Sequence, residues 1–206
     1  MIKKTGSLIV ISGPSGVGKS TLIGRARANM PDLEFSISCT TRAPRTGECH
    51  GREYYFLSEE EFIRREQAGE FIETAGVFAH RYGTLKSEVM QRLTAGKSVL
   101  LDIDVQGALS IRKAAEKDPE LAACAAFILI APPDLPTLEK RLRSRATDAE
   151  EQIVRRLGAA QKELSHFRAY DFMVVNDDLD KAAADLEGLL RSLGTRVSLI
   201  KEELFQ

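Results

Sequence analysis

Short runs of consecutive apolar residues alternate along this chain with longer stretches in which apolar residues recur every three or four positions. Leu8-Ile-Val-Ile11 is the first run, and its unbroken apolar character predicts a strand buried on both faces of a parallel sheet. Val99 to Ile103, Phe127 to Ile130 and Phe172 to Val175 repeat it, ended by Gln106-Gly107, Pro132-Pro133 and Asn176-Asp-Asp respectively. Helical periodicity fills the intervals, from Lys19 to about Asn29, Ala108 to Lys117, Leu135 to Ser144, Glu150 to His166 and Asp180 to Leu193. Strands separated by helices predict a doubly wound, three-layer α/β fold: a parallel sheet core flanked by helices, with right-handed crossovers.

Two segments break this rhythm. Residues from about 35 to 90 carry turn chemistry, aromatics and one short helix, opened by a capping box with Ser58 as N-cap and Glu61 as its partner. The stretch is too long for a crossover and predicts an inserted mixed α/β lobe. An arginine-rich helical hairpin from about 135 to 157 predicts a lid, its second helix opened by the box Thr147-Asp-Ala-Glu150. The core is then about 1–34, 91–134 and 158–206, all within one domain of 206 residues.

Composition mainly excludes. With 43% hydrophobic residues the chain is no disordered or collagen-like polymer. Its longest apolar run, Leu121 to Ala131, is about half of the roughly 20 residues that span a membrane. The four apolar residues after Lys3-Lys4 fall short of a secretory leader, so a cytoplasmic location is expected. Twenty-nine basic and 30 acidic residues leave a net charge of −1, which gives no reason to expect nucleic acid or an anionic membrane as partner. Cys39, Cys49 and Cys124 are odd in number without a C-x-x-C, and His50, His80 and His166 form no H-E-x-x-H, so neither a disulfide framework nor a structural zinc is expected.

The candidate chemistry begins directly after the first strand. Gly13-Pro14-Ser15-Gly16-Val17-Gly18-Lys19-Ser20 fits G-x-x-x-x-G-K-[ST], with a strand before it and a helix after it. Such a loop wraps backbone N–H groups around phosphate oxygens at a helix N-terminus. Lys19 is expected to span the β- and γ-phosphates of ATP, and the Ser20 hydroxyl to ligate Mg²⁺. In the inserted lobe, Arg42 and Arg45 flank Pro44, and Tyr54 follows; guanidinium forks with phenolic donors suit a phosphate monoester. Glu73, followed by Tyr82 and Thr84, offers a carboxylate to a base edge with two N–H donors, which guanine has and adenine lacks.

Taken together the motifs resemble those of the guanylate kinases along nearly the whole chain. The agreement covers Ile11 to Ser20, Thr40 to Arg45, Gly47-Glu48, Phe71 to Glu73, Tyr82 to Thr84, Leu101 to Gly107, Ile130 to Pro133 and Val175 to Asp178. The resemblance implies a P-loop kinase fold whose insert is a GMP-binding lobe, transferring the γ-phosphoryl group of ATP to GMP, and to dGMP, with Mg²⁺. It also implies that Arg42, Arg45, Tyr54 and Tyr82 clamp the GMP phosphate while Ser38, Glu73, Thr84 and Asp104 read guanine. Asp102 would serve the metal through water or orient Arg42, Asn176 would lie near the donor adenine, and Arg141, Arg145 and Arg156 would be the arginines of the lid. Arg145-Ala146 departs from the Arg-Gly of the family, and His80-Arg81 from its usual residues before the tyrosine. A scaffold module of this family would carry a degraded phosphate loop, and a sugar-phosphate kinase would lack the set Ser38, Glu73, Thr84 and Asp104. The expected partners are therefore ATP and GMP, and the oligomeric state stays open.

Overall fold

The first apolar run extends by one residue into β1 (Leu8–Ser12), buried along its length and central in a five-stranded sheet. In this computed structural model, which describes residues 3–77, 79–144 and 149–201, β1 lies between β7 (Val99–Asp102) and β8 (Ala125–Ala131). The edges are β2 (Glu34–Phe35) and β9 (Phe172–Val175), and every pairing is parallel. Register sets Leu8 level with Val99 on one side and Ala125 on the other.

Alternation of side chains along the strands divides the core into two layers. Ile9, Ile11, Leu100, Ile128 and Ile130 face α1 (Lys19–Asn29) and α8 (Leu179–Leu193), which contribute Leu22, Ala26, Leu186 and Leu190. Leu8, Val10, Val99, Leu101 and Phe127 face the other way. They meet α3 (Lys86–Thr94), α4 (Val105–Ala115) and α5 (Pro119–Cys124) through Val89, Leu93, Ile111 and Leu121. The three-layer arrangement expected from the sequence is therefore present. A separate cluster of Leu138, Leu142, Ile153 and Ala160 joins α6 (Leu135–Ser144) to α7 (Glu150–Leu164).

The insert builds its own four-stranded sheet in the order β4-β3-β6-β5. Its strands are β3 (Cys39–Thr40), β4 (Tyr55–Phe56), β5 (Phe71–Val77) and β6 (His80–Leu85). Strands β3 and β4 run parallel while the other pairs are antiparallel, so the sheet is mixed. Phe62 of α2 (Glu59–Gln67) is fully buried beneath it and stacks on Phe71 at 4.6 Å.

The boundaries differ from the sequence pattern in instructive places. β2 is two residues long, too short for any periodicity to reveal, and the Leu121–Ala131 run divides between the end of α5 and β8. Gln106-Gly107 is no break: it lies in the first turn of α4, whose N-cap Asp104 accepts from the Gly107 N–H at 2.8 Å. Ser58 caps α2 as expected, accepting from Glu61 N at 3.1 Å, but the Glu61 carboxylate pairs with Arg64 and Arg65. The N-cap of α7 is Ala149, with no side-chain bond, so Glu150 directly follows the cap and does not take the third position that a capping box requires; Thr147 lies outside the described residues.

Candidate active site

The turn after β1 is held from beneath. Val17 is fully buried in the core, its N–H donates to Pro14 O at 3.2 Å, and the loop runs directly into α1. Gly16 and Gly18 have φ of +87° and +94°, a left-handed backbone that favours glycine. A Cβ on Gly18 would stand 2.4 Å from Asn176 Nδ2. No side chain caps α1 and its first turn has no acidic residue, so its leading N–H groups remain for an anion. Ser15 and Ser20 are exposed on this turn.

A cleft of about 420 Å³ opens over the loop, walled by Lys19 and Asp104 and, from α7, by Arg156 and Glu163. Lys19 Nζ reaches the end of β7, 2.5 Å from Asp102 Oδ1 and 3.2 Å from Ile103 O. Asp102 therefore orients Lys19. Of its two expected roles, orienting Arg42 is corrected: Arg42 is bound elsewhere. In sequence Glu163 carries no signal, because a single glutamate late in an amphipathic helix looks like a solvated charge. Burial pushes its pKa up, Asp104 adds to this and Lys19 opposes it.

Across the loop lies a second cleft of about 320 Å³, between Gly16, Thr21, Arg141 and Asn176. Arg141 donates to Asn176 O at 2.8 Å and to Asp177 O at 3.3 Å. Asn176 is 4% exposed; its Nδ2 donates to Val17 O at 2.8 Å, while its buried Oδ1 has no protein partner. The asparagine thus braces the loop and keeps one acceptor over. Arg141 and Arg156, grouped in sequence, line different clefts, and Arg145 lies outside the described residues.

The insert presents a third constellation. Arg42 binds Glu48 through both of its terminal nitrogens at 3.0 Å, and Glu48 also accepts from Arg45 N at 2.8 Å. This partner raises the Arg42 pKa and lowers that of Glu48. The Arg42 guanidinium lies 5.4 Å above the Tyr54 ring, which meets Tyr82 edge-on at 5.9 Å. Burial raises the Tyr54 pKa, and so do Tyr82 and Asp102. Arg45 is exposed beside this group, and half-buried Ser38 leads into β3, its carbonyl accepting from Tyr55 N at 2.9 Å. In the sequence Glu48 is only part of a motif, and its grip on Arg42 is not legible there.

Glu73 is 5% exposed. An irregularity of register between Phe71 and Glu73 sets it opposite Thr84, whose hydroxyl donates to Oε1 at 2.7 Å. Burial pushes its pKa up to about 7, Asp104 pushing the same way and the Thr84 hydrogen bond opposing. Asp104 thus faces Glu73 and also walls the phosphate cleft, so the two constellations share one side chain.

Comparison with known proteins agrees along the whole chain. Residues 5–193 match the guanylate kinase family model. A guanylate kinase from Caldanaerobacter subterraneus subsp. tengcongensis is 43% identical over 201 residues, covering 98% of this chain and 94% of that protein. One from Desulfotalea psychrophila is 46% identical, covering 90% and 88%. Among solved structures, a guanylate kinase from Anaplasma phagocytophilum superposes with a TM-score of 0.75 at 34% identity, covering 97% of this chain and 92% of that one.

Proposed function

The chain belongs to the guanylate kinase family, and on that premise we propose how its own residues divide the work. The reaction is transfer of the γ-phosphoryl group of ATP to GMP, giving ADP and GDP. In our reading Gly13 to Ser20 bind the triphosphate, Lys19 neutralises its transferring end, and Asn176 lies near the donor base. Arg42, Arg45, Tyr54 and Tyr82 hold the GMP phosphate. Glu73, with Ser38, Thr84 and Asp104, accepts the two N–H groups on the guanine edge.

The observation that carries this division is Asp104. It stands in the wall of the phosphate cleft and within electrostatic reach of buried Glu73, so a base at Glu73 and a triphosphate at the loop share a boundary.

Phosphoryl transfer passes through a loose transition state, so the protein positions and neutralises and forms no bond of its own. The attacking oxygen belongs to an ionised phosphate, and no side chain need remove a proton from it. Arg156 faces the loop from α7, and an arginine there would contribute on the order of 10³–10⁵ in rate. Arg141 would close on the donor from the second cleft, and Arg145 completes the lid set on the resemblance alone.

The donor oxygens fit Mg²⁺: the exposed Ser20 hydroxyl at the loop and the Asp102 carboxylate beside Lys19 are hard ligands of the kind this ion takes. Bound with ATP it would neutralise the β- and γ-oxygens, with Ser20 as ligand and Asp102 acting through water. None of the assigned residues reads the sugar, so dGMP is expected as a second acceptor. A coupled assay with ATP and GMP, dGMP, AMP, UMP or ribose bisphosphate tests the reading. Turnover confined to the two guanine nucleotides supports it, and turnover of AMP at the GMP rate defeats it.

A further inference from the structure

Glycines inside helices weaken them, and most of those in this chain have an innocuous setting. A Cβ on Gly24, Gly158 or Gly188 would meet nothing within 4 Å. Gly107 differs. It is the third residue of α4, its φ is not positive, and nothing in its backbone demands glycine. What it lacks is space. A Cβ there would stand 2.8 Å from Glu73 Oε2 and 3.3 Å from both Asp104 Oδ1 and Ile103 Cδ1.

The contact falls on the oxygen that Thr84 leaves alone. Thr84 fixes Oε1 from the neighbouring strand at 2.7 Å, and Gly107 adjoins Oε2 from the helix. The Asp104 carboxylate, held by the Gly107 N–H at 2.8 Å, keeps the helix end against this corner. The carboxylate is thereby bounded on both sides.

We propose that Gly107 is a positioning residue for base selection: its missing methyl sets where the Glu73 carboxylate rests, and thereby which base edge it accepts. The proposal rests on the reading of Glu73 as the guanine acceptor. A flexible carboxylate end gives way to an added methyl at little cost in stability, and alanine is the better helix former. The penalty therefore falls on recognition. Displacing an acceptor by several tenths of an ångström misaligns both hydrogen bonds to the base while leaving the phosphate loop and Lys19 untouched.

The test uses the full-length enzyme and three variants, G107A, E73A and the double variant, with kcat, both KM values and Tm measured for each. G107A is expected to raise KM for GMP on the order of ten- to a hundredfold, with kcat within threefold, KM for ATP unchanged and Tm no lower. In the double variant the methyl has no carboxylate to displace, so KM for GMP should match that of E73A within about twofold. Unchanged KM for GMP in G107A overturns the proposal. So does a double variant whose loss equals the product of the single losses, or a lowered Tm with kcat falling alongside, which assign Gly107 to packing against Ile103. E73A with normal KM for GMP removes the reading beneath it, a result visible without G107A.

Discussion

On the assignment proposed above, the donor cleft and the acceptor pocket solve the same problem, holding a phosphorylated nucleotide, with different materials. Around the phosphate loop the recognising groups are backbone N–H groups and one lysine, supplied by eight contiguous residues between a buried strand and a helix. On the acceptor side they are side chains gathered from residues 38–54, β5, β6 and the N-terminus of α4. Three of those side chains rest on another: Arg42 on Glu48, Tyr54 on Tyr82, Glu73 on Thr84. Backbone dipoles suit a ligand defined by its charge, because every triphosphate has the same oxygens. Side chains are needed where the ligand is one base among several. On that assignment the phosphate loop itself is indifferent to base, whereas the acceptor pocket is selective and sensitive to small displacements.

Changes on either side should separate the two regions. Replacing Lys19 by methionine should lower kcat by roughly 10³-fold or more, since on the proposed reading its charge acts where the transition state develops it. Calorimetry should find GMP affinity in that variant within threefold of normal; a parallel loss would mean the two sites are one. Glu73→Gln reverses the pattern. Its amide accepts from one donor and opposes the other, and kcat/KM for GMP should fall by roughly 10³-fold with KM for ATP steady.

A gentler change is pH. If Glu73 is the guanine acceptor proposed above, guanine needs it charged, and burial has pushed its pKa up to about 7, so acid removes the binding form. KM for GMP should rise about tenfold per unit as pH falls below that value. Subtracting the profile of E73Q, which retains titration of the substrate phosphate, isolates the contribution of Glu73; a difference flat from pH 8 to 6 would contradict it. For the folded protein alone the sign reverses. The native state keeps this proton above the ordinary 4.5, so the contribution of Glu73 to stability declines from about pH 4.5 to 7 and levels off beyond, as melts of the two proteins should show. The smallest effect is expected from Glu48→Gln, which loosens Arg42 without removing it. A two- to fivefold rise in KM for GMP is the scale of a partly exposed ion pair.

The legibility of the two regions differs for the same reason that their materials do. Lys19 to Asn29, Leu135 to Ser144 and Phe172 to Val175 appear in the structure with the bounds their patterns give. The phosphate loop was equally plain, because its chemistry is local. In the insert the residue types were visible, yet their partnerships were not. Nothing near Arg42 in sequence says that Glu48 and not Asp102 will hold it, and no periodicity marks the shift of register that turns Glu73 toward Thr84.

Sequence alone determined the layered α/β core, the glycine-rich turn between strand and helix and the residue types gathered at the proposed nucleotide sites. Those follow from hydrophobic spacing and short-range backbone geometry, which act over a few residues. Tertiary structure alone decided that Asp102 steadies Lys19, that Asn176 braces the loop, and that Asp104 stands between the phosphate cleft and Glu73. It also left Gly107 without room for a methyl. Such pairings join residues 30 to 160 positions apart, and their strength depends on distance and burial, which exist only once the chain has folded.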